Sequence, residues 1–485
     1  MDGVVHLWNE WEVQILVLFS FVLQLTLLTF SWMRRRNISA VPRTLLWLAY
    51  LMADSIAIYI LGHMSISCKP REHQQLMAFW APFLLVHLGG QDTMTAYAME
   101  DNQLWPRHLL SLVMQAVGVA YVLYKYISGS GTLVMAGALI FVAGVVKYGE
   151  RIWALKSARL DNLRMYLNNV EKPRLLSEIE RGEFYSVGQI EGDAEEVLQG
   201  AHYLLPICMG QFVDYKFWPS PSQSEAIKVF ADKGCLYELI EMQLSLMHDI
   251  LYTKAAVIHT WCGCFIHAVS SVATVAAFFL FKSSNGRVNH NSADVIVTYT
   301  LLAGALLLEM VSLLGASGST WTCALLRARR CNRLLSTVVC VRKLVKAAER
   351  IRRWSGSIGQ YNLLKKYVVN GYGSFKPVAS STMISAGTKL LVLKEIDRMV
   401  GACEGKENTM RRYRGQCAMK PHERFFGDLT SWSTDIDFDD SILDWHFPTE
   451  LLILFCGQAH PVVDAIKELS NYMMFLLQER PPHAA

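Results

Sequence analysis

Three carboxylates interrupt stretches of sequence otherwise suited to hydrocarbon: Asp54, Asp92 and Glu309. An ionisable group at the centre of a membrane helix costs about 2.5–3.5 kcal/mol on insertion scales, so it faces a bundle interior or a polar cavity and finds partners there. The segment around Asp92 is the richest, running Phe83-Leu84-Leu85-Val86-His87-Leu88-Gly89-Gly90-Gln91-Asp92-Thr93. Adjacent glycines allow a close helix approach or a broken helix, and His87, Gln91 and Asp92 offer groups that coordinate an ion or polar ligand. The same groups also serve a structural end, hydrogen bonding between neighbouring helices, and the sequence leaves both readings open. Asp54, His87, Gln91, Asp92 and Glu309 form the candidate intramembrane polar site.

A second set of residues is basic. Arg327, Arg329, Arg330, Arg333, Arg342, Lys343 and Lys346 alternate with Leu334, Leu335, Val338, Val341, Leu344 and Val345 after the last apolar stretch. Apolar side chains with basic flanks beside a span describe a helix lying on anionic lipid, each nearby cation contributing about 1 kcal/mol. A solvated face of a cytosolic helical domain is the alternative. Other patterns fail their own chemistry. Asp435-Ile436-Asp437-Phe438-Asp439 begins like a calcium loop, but Asp440 stands where the turn needs glycine and His446 where a bidentate Glu belongs. It reads instead as an acidic lead into a helix, whose N-terminus favours negative charge. His446 and Glu450 share a helix face without a third ligand, so no metal is expected there. There is no GxSxG, Walker A or dinucleotide fingerprint, and the 11 cysteines form no CxxC pair. Neither enzymatic activity nor a cofactor is expected.

These side chains need elements to position them. Of 485 residues, 52% are hydrophobic and 18% charged, against about 25% charged in an ordinary soluble domain. The apolar residues gather in blocks. Residues 13–32, 44–62, 109–127, 256–281 and 293–315 are long enough to cross about 30 Å of hydrocarbon, and 132–146 and 76–97 are weaker spans. Lys and Arg near span ends stay in the cytoplasm, so Arg34, Arg35, Arg36 and Arg43 place the N-terminus outside. With seven spans Arg107, the Lys147, Arg151, Lys156, Arg159 cluster and the tail arginines share the cytoplasmic side, and the C-terminus is cytoplasmic. The acceptor Asn37-Ile38-Ser39 then goes unused. Asp2, Glu10 and Glu12 argue against a cleavable signal, and a net charge of +4 is too small to imply nucleic acid.

The expected fold is therefore all-α, a multi-pass transmembrane helical bundle of about seven spans with cytosolic helical regions. Its expected organisation is a membrane bundle over 1–147, a cytosolic helical insertion over 148–255, two further spans over 256–315 and a cytosolic tail over 316–485. Residues 236–260 read as one amphipathic helix, with Leu239, Met242, Leu246 and Ile250 on its stripe.

An ordered set of strings resembles a known family. These are Leu85 to Thr93 with Glu100-Asp101-Asn102, Tyr148 to Leu155, Glu238 to Glu241 through Leu251 to Ala255, Trp354 to Leu364, and Ser470 to Met474. Together they resemble the plant transmembrane family named domain of unknown function 4220, usually followed by the smaller domain of unknown function 594. The resemblance implies a plant multi-pass membrane protein with cytosolic helices and implies no activity. Two departures stand out. Trp445-His446 is followed by Phe447-Pro448-Thr449-Glu450, and Pro448 should disturb a helix outside its first turn; the chain also stops at Ala485, soon after the tail domain's apolar segment begins. The expectation is a shortened tail whose last helix packs poorly. The leading functional expectation is a non-enzymatic membrane protein whose cytosolic helices bind partner proteins or anionic lipid of the inner leaflet. The alternative is a transporter or channel using the intramembrane acids.

Overall fold

The computed structural model describes residues 2–31, 40–66, 71–126, 131–170, 194–285, 292–329, 331–344, 356–363, 380–402, 436–456 and 460–479. Arg34, Arg35, Arg36 and the Asn37-Ile38-Ser39 acceptor lie outside these residues, as do Arg330, Lys346 and the last six residues. The chain forms two compact units, Met1–Trp354 and Ser355–Ala485.

The first unit is built on seven helices: α1 (Asp2–Phe30), α2 (Ala40–Ile66), α3 (Arg71–Leu88), α5 (Trp105–Tyr126), α6 (Gly131–Ser157), α13 (Trp261–Asn285) and α14 (Ser292–Ser317). A single turn and a half, α4 (Met99–Gln103), precedes α5. Six of the seven are long and apolar enough to cross a membrane. The exception is α3, whose apolar part Gln75–Leu88 extends only about 21 Å at the helical rise. It is nevertheless the most enclosed helix, with Phe79, Trp80, Ala81, Leu84, Leu85 and Leu88 fully buried. A helix apolar all round belongs in the centre of its bundle. Gly144 lets α6 close on it, since a Cβ there would lie 2.7 Å from the Cβ of Leu85 and 3.1 Å from the nitrogen of Val86.

Hydrogen bonds fix the course of the chain. Near the far end of α2, the Tyr59 hydroxyl donates to Glu12 of α1 at 3.2 Å. At the start of α2, the carbonyl of Arg43 accepts from the Tyr97 hydroxyl at 3.3 Å. So α2 carries the chain from one face of the bundle to the other, and residues 71–97 bring it back although α3 is short. Among the described residues six helices are long and apolar enough to span a membrane, and the shorter α3 packs among them. The face that holds residues 43 and 97 is termed proximal below.

On the proximal side lies a helical body of α7 (Leu160–Val170), α8 (Ala194–Tyr203), α9 (Leu205–Phe212), α10 (Pro221–Asp232) and α11 (Leu236–Tyr252). It has its own apolar core, in which Leu167, Val197, Phe230, Met242 and Leu246 are fully buried. Ser220 starts α10 with a capping box: its hydroxyl accepts from the Gln223 backbone N–H while the Gln223 side chain accepts from the Ser220 N–H. The expected stripe Leu239, Met242, Leu246 and Ile250 is buried. The expected single helix over 236–260 is not found. α11 ends at Tyr252, Thr253 is extended (φ −130°, ψ 172°), and the short α12 (Ala255–Ile258) intervenes before α13. The Thr253 hydroxyl donates to the Asp249 carbonyl at 2.6 Å and accepts from the Ala255 N–H. Such side-chain to backbone bonds compete with helix continuation. Two helices, α15 (Thr320–Ala328) and α16 (Asn332–Leu344), follow α14.

In the second unit the strands β1 (Ser357–Gln360) and β2 (Ser380–Met383) pair antiparallel, with Ser357 opposite Met383. They accompany α17 (Ala386–Ala402), α18 (Phe438–Cys456) and α19 (Pro461–Glu479). The expected acidic lead holds, because Asp439 and Asp440 occupy the first turn of α18. The expected disturbance at Pro448 does not occur: α18 runs through it. Pro448 sits on the exposed face, where water can satisfy the carbonyl that loses its helical partner. α19, expected to pack poorly, buries Ala465, Asn471 and Met474 and accepts the Tyr361 N–H on the Asn471 carbonyl at 3.1 Å.

Candidate functional site

The break after α3 organises the interior of the first unit. Gly90 has φ +64°, a left-handed conformation that glycine adopts without steric cost. This turn delivers Asp92 to the proximal ends of α6, α13 and α14. Lys254 arrives from the break between α11 and α12, its backbone N–H donating to the Asp92 carbonyl at 3.0 Å. The Lys254 side chain is fully buried, with its ammonium 3.2 Å from Asp92 and 3.3 Å from Glu150. The other Glu150 oxygen lies 3.2 Å from Nε2 of His267. Ser312 donates its hydroxyl to Asp92 and meets Nδ1 of His267 at 3.4 Å.

Two further pairs extend this cluster along α6. Lys147 binds Glu309 at 2.6 Å, and Glu309 also accepts from Ser270 at 2.7 Å and Ser271 at 3.3 Å. Arg151 makes a two-pronged bond to Asp54, at 2.8 and 3.1 Å, and donates to the carbonyl of Leu88 at 2.8 Å. Lys147, Glu150 and Arg151 lie within one turn and a bit, so α6 is the spine of the network. A cavity with about 20 Å³ open to the centre of a water molecule adjoins Asp92, Lys147, Glu309 and Ser312. That is room for one water.

The candidate residues are thus divided. Asp92 and Glu309 meet around Lys147 and Ser312, and Asp54 joins them through Arg151. His87 and Gln91 line the same small cavity as Asp92 and Glu309, while their hydrogen bonds run to α1, where His87 Nδ1 meets Ser20 at 2.9 Å and Gln91 donates to Gln24 at 3.2 Å. Lys147 and Arg151 count toward charge asymmetry in the sequence, yet both are buried and ion-paired. Glu150, Lys254 and His267 were not identified as site residues. His267 carried the clearest missed signal, being an imidazole in the middle of an expected span. Asp92, Glu150 and His267 each bring a ligand-type atom within 4.8 Å of the others, with the Lys254 ammonium beside both carboxylates.

The basic set also divides. Arg342 is not lipid-facing: it is 1% exposed, bonded to Glu195 at 2.9 and 3.3 Å and to the Gly318 carbonyl. A guanidinium so buried needs a carboxylate more than a headgroup. Arg327 donates to Gln199, and the Arg329 guanidinium lies 3.5 Å over the Trp261 ring. Arg333 and Lys343 are exposed. Close by, Trp321 stacks edge-on against His202, whose pKa is pushed down to about 3 by burial first and nearby Arg342 second.

In the second unit, His446 meets Ser470 at 2.9 Å through Nδ1, and Glu450 accepts from Asn362 at 2.6 Å. The Leu363 N–H donates to His446 Nε2, so the ring proton is on Nδ1 and points at Ser470. An imidazole that donates to the hydroxyl cannot take its proton, and the arrangement does not activate a nucleophile. Asp437, Asp439 and Asp440 cluster but are exposed.

Fold and network together define a multi-pass, all-α membrane protein with a network of ion pairs in its interior. The chain belongs to the family described as domain of unknown function (DUF4220), whose model matches residues 47–367. Every residue of the network from Asp54 to Ser312 lies within that range. No curated protein and no solved structure matches the chain.

Proposed function

We propose that this is a non-enzymatic membrane protein of the plant family it resembles, with the proximal face cytoplasmic, the N-terminus outside and the C-terminus cytoplasmic. In this reading the helical body and α16 work at the inner leaflet, and the smaller tail domain lies beyond the family match, after residue 367. One observation carries the leaflet assignment. On α16, Leu334, Val341 and Leu344 are 60%, 53% and 78% exposed, and they form a ridge beside a second exposed ridge of Arg333, Ser336, Cys340 and Lys343. The opposite side is held to the helical body by Arg342 and Glu195. An exposed apolar ridge beside a basic one, a few residues from a membrane span, matches an anionic lipid surface. The paired network reads accordingly as the joint that fixes the helical body to the bundle.

The test is a polarity-sensitive fluorophore at Leu344→Cys in the full chain, reconstituted in nanodiscs. Emission should shift to the blue in discs containing anionic lipid and return toward the aqueous value as salt rises, because screening acts over about 10 Å at 0.1 M. Emission independent of lipid charge would overturn the reading. Transport through the bundle is supported by one observation, the one-water cavity beside Asp92, Lys147 and Glu309.

A further inference from the structure

We propose that Asp92, Glu150 and His267 form a binding site for a first-row divalent metal ion, which displaces the Lys254 ammonium when it enters. The argument starts from the protons. Ser312 has a single hydroxyl proton and gives it to Asp92, a carboxylate that can only accept. His267 Nδ1, facing the same hydroxyl, is therefore the donor, and Nε2 carries a bare lone pair. That lone pair faces a Glu150 oxygen at 3.2 Å. Both atoms are buried without a hydrogen-bond donor, and two acceptors held face to face call for a positive charge between them.

Charge counting gives the same answer. Asp54 is balanced by Arg151 and Glu309 by Lys147. Among the described residues Asp92 and Glu150 share Lys254, which with a neutral His267 leaves one negative charge uncompensated. A divalent ion on the two carboxylates, with the ammonium withdrawn, is neutral. The spacing also fits: two ligands of one ion at bonds of about 2.0–2.2 Å lie about 2.8–3.6 Å apart for angles between octahedral and tetrahedral, which brackets the 3.2 Å between Nε2 and Oε1. Mixed imidazole and carboxylate ligands favour Zn²⁺ or Mn²⁺ over Ca²⁺. The adjoining one-water cavity, lined by Asp92 and Ser312, offers a fourth ligand. Ser312 then acts on the ring opposite the metal, orienting His267 as outer-shell partners do.

The test uses the purified full chain, stripped with chelator and titrated with Co²⁺, a probe that reports nitrogen and oxygen ligation through visible d–d bands. The wild type should take up one equivalent. His267→Gln should weaken binding at least tenfold, and Lys254→Met, which removes the competing ammonium, should tighten it by about tenfold or more. Metal content after growth with Zn²⁺ or Mn²⁺ should follow the same order. Absence of Co²⁺ binding in both wild type and Lys254→Met, each monodisperse on size exclusion, would overturn the proposal and assign the missing charge to a proton on His267. Undiminished binding by folded His267→Gln would overturn it equally.

Discussion

Replacing Lys254 with Met tests the joint most severely. Lys254 is fully buried and holds Asp92, Glu150 and the Gly90 carbonyl, the last at 3.4 Å. Removing one partner of a buried ion pair costs about 3–5 kcal/mol, because the other charge stays behind. Asp92 keeps Ser312 and Glu150 keeps its contact with His267, which places the loss near the lower figure, about 3 kcal/mol. At about 2–4 °C per kcal/mol for domains of 150–250 residues, the melting temperature should fall by roughly 6–12 °C. The assay is thermal unfolding of the full chain in detergent, followed by a thiol-reactive dye that reports exposure of buried Cys323. Chelator is present so that no metal replaces the ammonium. Lys254→Met combined with Glu150→Gln should recover part of the loss, since the stranded charge is removed as well. A melting point within 1 °C of the wild type for Lys254→Met would refute the claim that this contact joins helical body and bundle.

Other perturbations reach different parts of the fold. Gly144→Val should lower membrane accumulation and destabilise by about 1–3 kcal/mol, because the contacts its Cβ meets on α3 include backbone; normal accumulation and melting would exclude that close approach. Arg342→Ala should release α16 from the helical body, read as faster tryptic cleavage after Arg333, and unchanged cleavage would contradict the buried pair with Glu195. His202 has a folded pKa of about 3 against an ordinary value of about 6.5, so the stability it contributes is complete above the ordinary value and is lost as pH falls toward 3. Between pH 7 and pH 5 the loss should be about 1–2 kcal/mol, and His202→Phe, which keeps the stack on Trp321, should remove that pH dependence. Asp92→Leu should reduce accumulation more than Asp92→Asn, whose amide oxygen still accepts from Ser312; equal accumulation of both would show that the carboxylate is not needed at the joint.

The membrane class was legible because apolar blocks of about 20 residues have few other uses. A crossing over 76–97 was expected from the sides on which Lys and Arg fall; its helix α3 is shorter than the six that are long and apolar enough to span, and Tyr97 bonds back to Arg43 at the start of α2. What sequence could not supply was pairing. Lys147 and Arg151 look like ordinary cytoplasmic-side cations until their partners Glu309 and Asp54, far away in the chain, are seen beside them. Lys254 was invisible for a local reason: the stripe from Leu239 to Ile250 predicts a helix that runs on, whereas Thr253 ends it and swings Lys254 inward. His87 is buried and Gln91 half-buried, but a four-residue spacing across a broken helix does not say which neighbour each one bonds. Arg342 shows the converse error, since a run of basic residues on one helix contains faces that differ in partner.

The leaflet assignment rests on the two ridges of α16, and site-directed spin labelling of the full chain in anionic nanodiscs measures it directly. Labels at 334, 341 and 344 should be relaxed strongly by oxygen, which concentrates in the bilayer, and weakly by a water-soluble nickel chelate. A label at 199, on the helical body, should show the reverse. Equal access of the nickel chelate to all four positions would contradict the account, because α16 would then stand in water.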